Sequence, residues 1–259
     1  MDESQPPPLP ETATPAATSL VSRLTNIFVA PGEVFDEVKV SAPNTMNWLL
    51  PSILACVMGI IFSVVIFSQE TIVHDMRDAQ EKQMQKAVDA GKMTKEQAEQ
   101  AVQMMEKFMS PTMMTIFGSA GSVVGTFAGL FLFALIFWLM GKFLFKAPFG
   151  YMQAVEVNGL ASMVSVLGGL LTMLVVLLKG NLLYTPGPSL LISQFDPANK
   201  THLMLAAFNL TTVWWIAVLA IGLARLSGVS FTKAAAWLFG IWFGIRFGLI
   251  LAGVGVASA

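Results

Sequence analysis

Five long apolar runs decide what this chain can fold into. They cover residues 48–68, 113–145, 154–178, 203–226 and 234–256. A helix needs roughly 20 apolar residues to cross about 30 Å of hydrocarbon, and each run supplies that length. The pattern predicts an all-α membrane protein, a bundle of about five transmembrane helices. Its main solvent is lipid, so function has to be sought in the loops, in the few intramembrane polar groups and in helix contacts.

Composition points the same way. Hydrophobic residues make up 55% of the 259-residue chain and charged residues only 12%, against roughly 25% charged in soluble domains. A net charge of -1 provides no field for nucleic acid, which is excluded as a partner. The single cysteine, Cys56, rules out a disulfide framework within one chain.

Outside the spans the chain divides into three parts. Residues 1–18 contain Pro6, Pro7, Pro8, Pro10 and Pro15 among small polar residues, and they read as a disordered tail with no cleavable leader before the first span. Residues 19–47 form a lead-in. Leu20, Val21, Leu24, Ile27 and Phe28 recur at helical spacing, with Arg23 and Asn26 on the other side, as in a short amphipathic helix on the membrane surface. Pro31 suits the first turn of a second helix.

The third part, 69–110, is the one sizeable polar insert and predicts an extramembrane helical hairpin between the first and second spans. Ala90 and Gly91 provide the break, and Thr94 with Gln97 matches a capping box. Val73, Met76 and Met84 on one arm, with Ala98, Val102 and Met109 on the other, predict a seam. Its methionines also suit an adaptable partner surface. His74 has no second ligand nearby, so no metal site is expected.

Small residues four apart recur within the spans: Gly121, Gly125 and Gly129; Gly240, Gly244 and Gly248; Ala55, Gly59 and Ser63. Such stripes let helix backbones approach closely. They predict helix packing in a tight bundle or a homodimer seam, without choosing between them. Glu156, Asn158 and Arg246 form a candidate intramembrane polar cluster, because ionisable groups at this depth are costly and face a bundle interior. A Glu156–Arg246 ion pair is one arrangement. Ten residues of extra depth set Arg246 about 15 Å further in, and in the other arrangement Arg246 snorkels while Glu156 stays at the interface.

No nucleophile elbow, phosphate-binding glycine loop or zinc-binding His–Glu pattern occurs in the chain. Neither enzymatic activity nor a cofactor is expected. With the N-terminus inside, Arg23, Lys39, Lys142, Lys146, Arg225 and Lys233 fall on cytoplasmic segments, as the positive-inside bias favours; Lys179, Lys200 and the basic residues of the hairpin stand opposed, the hairpin counting for less because it is long and charge-balanced.

The run Ile27-Phe28-Val29-Ala30-Pro31-Gly32-Glu33-Val34-Phe35 resembles the opening of bacterial members of the Yip family, membrane proteins named for interaction with Ypt/Rab GTPases. Val213-Trp214-Trp215, Ala220-Ile221-Gly222-Leu223-Ala224, Ser227-Gly228-Val229-Ser230 and Lys233-Ala234-Ala235 are similar to its closing part. The resemblance runs from about Leu24 to Gly248. It implies five spans, a cytosolic N-terminus, a bacterial inner membrane and a role in membrane organisation or trafficking. The Asp-Leu-Tyr-Gly-Pro motif of eukaryotic members is absent, with only Gly150-Tyr151 matching, so GTPase binding is not carried over. Two functional classes remain. One is a non-enzymatic scaffold or assembly factor acting on a membrane-protein partner or a second copy. The other is a transport or lipid-handling protein with a polar path near Glu156, Asn158 and Arg246.

Overall fold

A computed structural model describes residues 18–253, apart from the side chains of Met105 and Glu106. The proline tail and the last residues of the fifth apolar run lie outside the described residues. Within them the fold is an all-α bundle with five helices long and apolar enough to cross a membrane. These are α3 (Met46–Phe67), α6 (Pro111–Leu139, extended by π-helical turns over Met140–Leu144), α7 (Tyr151–Lys179), α9 (Leu210–Ser227) and α10 (Phe231–Leu251). The short helices α1 (Leu20–Asn26) and α2 (Pro31–Val40) precede them. The helices α4 (Glu70–Asp89) and α5 (Lys95–Phe108) form the hairpin, and α8 (Lys200–Ala207) precedes α9.

The spans alternate in direction. The described residues therefore begin and end on opposite sides, an N-terminal side carrying α1 and α2 and a hairpin side carrying α4, α5 and α8. The helix α7 is central and packs on α3, α6 and α9, whereas α10 rests on α9 and α8.

The fourth apolar run is shorter as a helix than its hydropathy suggests. The Asn209 side chain accepts from the Thr211 backbone N–H at 3.0 Å and caps a new helix. The Leu210 N–H donates to the Pro186 carbonyl at 2.8 Å. The span therefore starts at Leu210, and the residues before it form α8. At 18 residues, α9 rises about 27 Å, enough to cross the hydrocarbon.

The hairpin follows its local signals. Gly91 takes a φ of 67° at the break, a conformation that costs glycine little. The Thr94 N–H donates to the Gln97 side chain at 3.0 Å, and the Gln97 N–H donates back to the Thr94 hydroxyl at 3.2 Å. Val73, Met76, Met84 and Val102 pack into one seam with Met109 and Met114. His74 faces Asp78 at 3.5 Å.

The lead-in differs from the expectation of a helix lying on lipid. Ile27 and Phe35 are both 0% exposed, because α1 and α2 cover the start of α7 and the end of α9. Phe35 enters a notch left by Gly222: a Cβ there would lie 2.5 Å from Val157 Cγ1 and 3.2 Å from Phe35 Cε2. Truncating a fully buried phenylalanine costs about 3–5 kcal/mol. Phe35→Ala should lose stability on that scale in chemical denaturation of the detergent-solubilised protein.

The glycine stripes of α6 and α10 are not used inside the bundle. Among the described residues, no neighbour comes within 4 Å of a Cβ built on Gly121, Gly125, Gly240, Gly244 or Gly248, and Gly129 meets only Phe133 of its own helix. Of the two arrangements expected for these six, a seam with another chain is the one left open. The contacts within the chain are made by the first-span stripe, at Gly59 and Ser63, and by small residues outside the stripes. A Cβ on Gly59 would lie 2.6 Å from Ser122 Cβ, and one on Gly118 would lie 2.8 Å from Ser63 Oγ, so α3 and α6 cross through two small pairs. A Cβ on Gly168 would lie 2.7 Å from Thr211 Oγ1 of α9, and Gly159 presses on the Trp48 backbone of α3. Spacing alone marks a small-residue face, but the crossing angle and the direction of the partner decide which face is used.

Candidate functional site

The intramembrane polar residues sit in two separate places. The first is a clasp at the N-terminal side. Glu156, in the second turn of α7, is 1% exposed. Its Oε1 accepts from the Asn44 backbone N–H at 3.1 Å and its Oε2 from Asn47 Nδ2 at 2.5 Å. Asn47, at the start of α3 and 0% exposed, also takes Arg23 Nη1 on its Oδ1 at 3.4 Å. Arg23 Nε donates to Glu37 Oε2 at 3.0 Å, and the Thr18 hydroxyl donates to the other oxygen of Glu37. One chain of polar contacts thus ties α1, α2, α3 and α7 together.

Arg23 is a second correction. Its place opposite the apolar stripe of α1 suggests solvent, yet it is 7% exposed. The polar side of α1 meets Glu37 and Asn47 rather than water, because α1 closes over the rim of the bundle. Helical periodicity separates polar from apolar faces, and it cannot tell a solvated polar face from one that meets a buried partner.

A second set of contacts reinforces the same end. Arg225 Nη1 lies 3.1 Å from Asp36 Oδ2, and its guanidinium crosses Gly32, where a Cβ would lie 2.9 Å from Nη2. Lys39 Nζ donates to the Arg225 carbonyl at 2.9 Å, occupying an acceptor that the end of α9 leaves free. Gln153 Nε2 donates to the Lys39 carbonyl at 3.1 Å. The segment Pro31-Gly32-Glu33-Val34-Phe35 therefore does defined work. Proline starts α2, glycine admits the arginine and phenylalanine fills the Gly222 notch.

The second place is a cleft of about 320 Å³ flanked by α6 and α10, with α9 between them. Phe137, Leu219, Ile241 and Ile245 give it apolar walls, and Asn158 and Arg246 also line it. Asn158 is 4% exposed. Its Nδ2 donates to the Ala154 carbonyl at 2.8 Å, and its Oδ1 accepts nothing among the described residues. Trp242 Nε1, also at the cleft, is buried without a partner. Arg246 is exposed and forms no ion pair among the described residues.

Of the three predicted polar residues, Asn158 and Arg246 therefore share a site, and Glu156 belongs to the clasp. A Glu156–Arg246 ion pair does not form, because Glu156 faces Asn44 and Asn47 at the entry to α3 while Arg246 lines the cleft on α10. Arg23, Glu37 and Asn47 complete the clasp without having been singled out by sequence. Their signal lay in two polar side chains, Asn44 and Asn47, immediately ahead of an uncharged span.

The family model of the Yip1 domain matches residues 25–254, a stretch that holds most of the clasp and the whole cleft. The chain belongs to the Yip1 domain family. It is also 29% identical over 164 residues to the membrane protein YknW of Bacillus subtilis (strain 168), covering 63% of this chain and 68% of that one. No solved structure matches it. The Yip1-domain match takes in the opening segment that carries the resemblance, where the clasp and the Phe35 notch are built. The protein is thus a multi-pass, helical, Yip1-family membrane protein.

Proposed function

We propose that this Yip1-family protein is a non-enzymatic scaffold or assembly factor of a bacterial cytoplasmic membrane, with its N-terminus on the cytoplasmic side. The observation that carries this reading is the closure of Glu156 by Asn44 and Asn47. A transport path near Glu156, Asn158 and Arg246 needs a wet passage joining them. The one ionisable group of the three that is fully buried is instead sealed by its own chain, in a place apart from the apolar cleft.

Two outward features suit partner binding. The hairpin presents Met104 and Phe108 on its second arm, 67% and 49% exposed. The glycine face of α10 at Gly240, Gly244 and Gly248 is open and admits close approach by another transmembrane helix, from a partner or a second copy. The orientation follows the resemblance to bacterial family members and not the charge count, since Arg23, Lys39, Lys142, Lys146, Arg225 and Lys233 at the N-terminal side face eight basic residues on the hairpin side.

Photo-crosslinking residues placed at Met104, Phe108 and Gly240 in the intact membrane test this reading. The expected result is one discrete membrane-protein adduct, whose assembly falls when the gene is deleted. Solute flux through vesicles of the purified protein, abolished by Glu156→Gln, would overturn it in favour of transport.

A further inference from the structure

The cleft between α6 and α10 is built unlike the rest of the lipid-facing surface. Its walls are apolar, yet it holds an arginine at one level, and among the described residues Trp242 Nε1 has no acceptor and Asn158, bonded to the Ala154 carbonyl through Nδ2, has no donor at Oδ1. The helices α7 and α10 both start at the N-terminal side. Asn158 lies seven residues into α7, and Arg246 lies fifteen into α10. The eight-residue difference sets Arg246 about 12 Å further toward the hairpin side. The cleft thus runs along the bilayer normal across the midplane, with its cationic end in the hairpin-side leaflet.

Arg246 is five residues from the end of α10, about 7 Å of rise. Extended toward the hairpin side, a side chain that long spans about that distance and brings a cation toward the ester and phosphate level of that leaflet. No acidic side chain pairs with it among the described residues: Glu156 and Glu37 belong to the clasp and Asp36 to Arg225, and on the hairpin side Asp196, next to the Phe195 that packs on α10, accepts from the Ala198 N–H at 2.8 Å. A cation at the mouth of an apolar slot, with no acidic partner among the described residues, is complementary to an amphiphile carrying one negative charge and one hydrocarbon chain. We propose that this cleft binds an anionic phospholipid of the hairpin-side leaflet, with the phosphate on Arg246 and one acyl chain lying along Ile245, Ile241 and Leu219 toward Asn158.

Trp242 lines the cleft and reports on its contents. The full-length protein is reconstituted in phosphatidylcholine vesicles containing, at equal mole fraction, phosphatidylglycerol or phosphatidylcholine with brominated acyl chains. The Trp242 signal is isolated by difference against Trp242→Phe, which removes contributions from annular lipid at the other five tryptophans. One basic residue near the surface favours an anionic lipid about fivefold. Phosphatidylglycerol is therefore expected to quench Trp242 with about fivefold higher apparent affinity. Arg246→Gln should bring the two lipids to parity, and Arg246→Lys should keep most of the preference. Where Trp242→Phe or Arg246→Gln does not fold, the wild-type comparison of the two lipids, with Arg246→Lys as the variant, still decides. Equal quenching by both lipids in the wild type would overturn the proposal, as would full preference retained in Arg246→Gln. So would absence of quenching by either lipid, the result expected when a second copy covers the cleft.

Discussion

Gly159→Ala should destabilise the folded protein by about 3 kcal/mol, whereas Gly125→Ala should leave it unchanged or slightly more stable. Both residues are mid-helix glycines in apolar spans, and local sequence does not separate them. What separates them is the neighbour. A methyl group on Gly159 would land on the Cα and Cβ of Trp48, so it can be accommodated only by moving α3 away from α7. Overpacking typically costs about 1–3 kcal/mol. The upper end applies here because the obstacle is backbone rather than the tip of a flexible side chain. That is a large share of a total stability of about 5–15 kcal/mol. At Gly125 no atom lies within 4 Å of the added carbon, and alanine gains up to about 1 kcal/mol in helix propensity. Equilibrium unfolding of both variants in mixed micelles measures the difference. Equal losses would mean that Gly125 also faces a close neighbour, against its open surroundings.

How much of this was legible in the sequence depends on the range of the interaction. The spans, the hairpin break at Gly91 and the Thr94–Gln97 cap are encoded within a few residues of where they act. They are the parts that periodicity and capping rules reach. The opening segment from Ile27 to Phe35 marked the family, but the Gly222 notch that Phe35 fills lies 187 positions along the chain. The stripes show the same limit: that of the first span packs at Gly59 and Ser63, and those of α6 and α10 face away from the bundle. Gly118 and Ser122 are also four apart, and only the direction of α3 distinguishes them from Gly121 and Gly125. Arg246 was recognised as costly, but its surroundings depend on how α6, α9 and α10 diverge, which no local pattern records.

Asn47→Leu should cost about 3 kcal/mol, the scale of leaving buried charged groups short of a hydrogen-bond partner, while Arg246→Leu should cost less than about 0.5 kcal/mol. On sequence alone the order would be reversed, because an arginine deep in a span looks more consequential than an asparagine at a span's edge. The clasp reverses it. Asn47 is the residue through which Arg23 and Glu156 are both satisfied, accepting from one and donating to the other. Leucine would remove both contacts and leave a 7%-exposed guanidinium facing an apolar side chain, with Glu37 as its remaining partner. It would leave Glu156 with the Asn44 N–H as its single donor. Arg246, exposed and without an ion pair among the described residues, leaves nothing unsatisfied when replaced. A double-mutant cycle sharpens the comparison. Asn47→Leu and Glu156→Gln should be coupled by about 0.5–3 kcal/mol, because the second substitution adds little once the shared contact is gone. Arg246→Leu and Glu156→Gln should be additive. The same unfolding measurement in mixed micelles supplies all the values. Coupling between Glu156 and Arg246, with none between Glu156 and Asn47, would mean that the carboxylate is satisfied across the bundle rather than by the N-terminal cap.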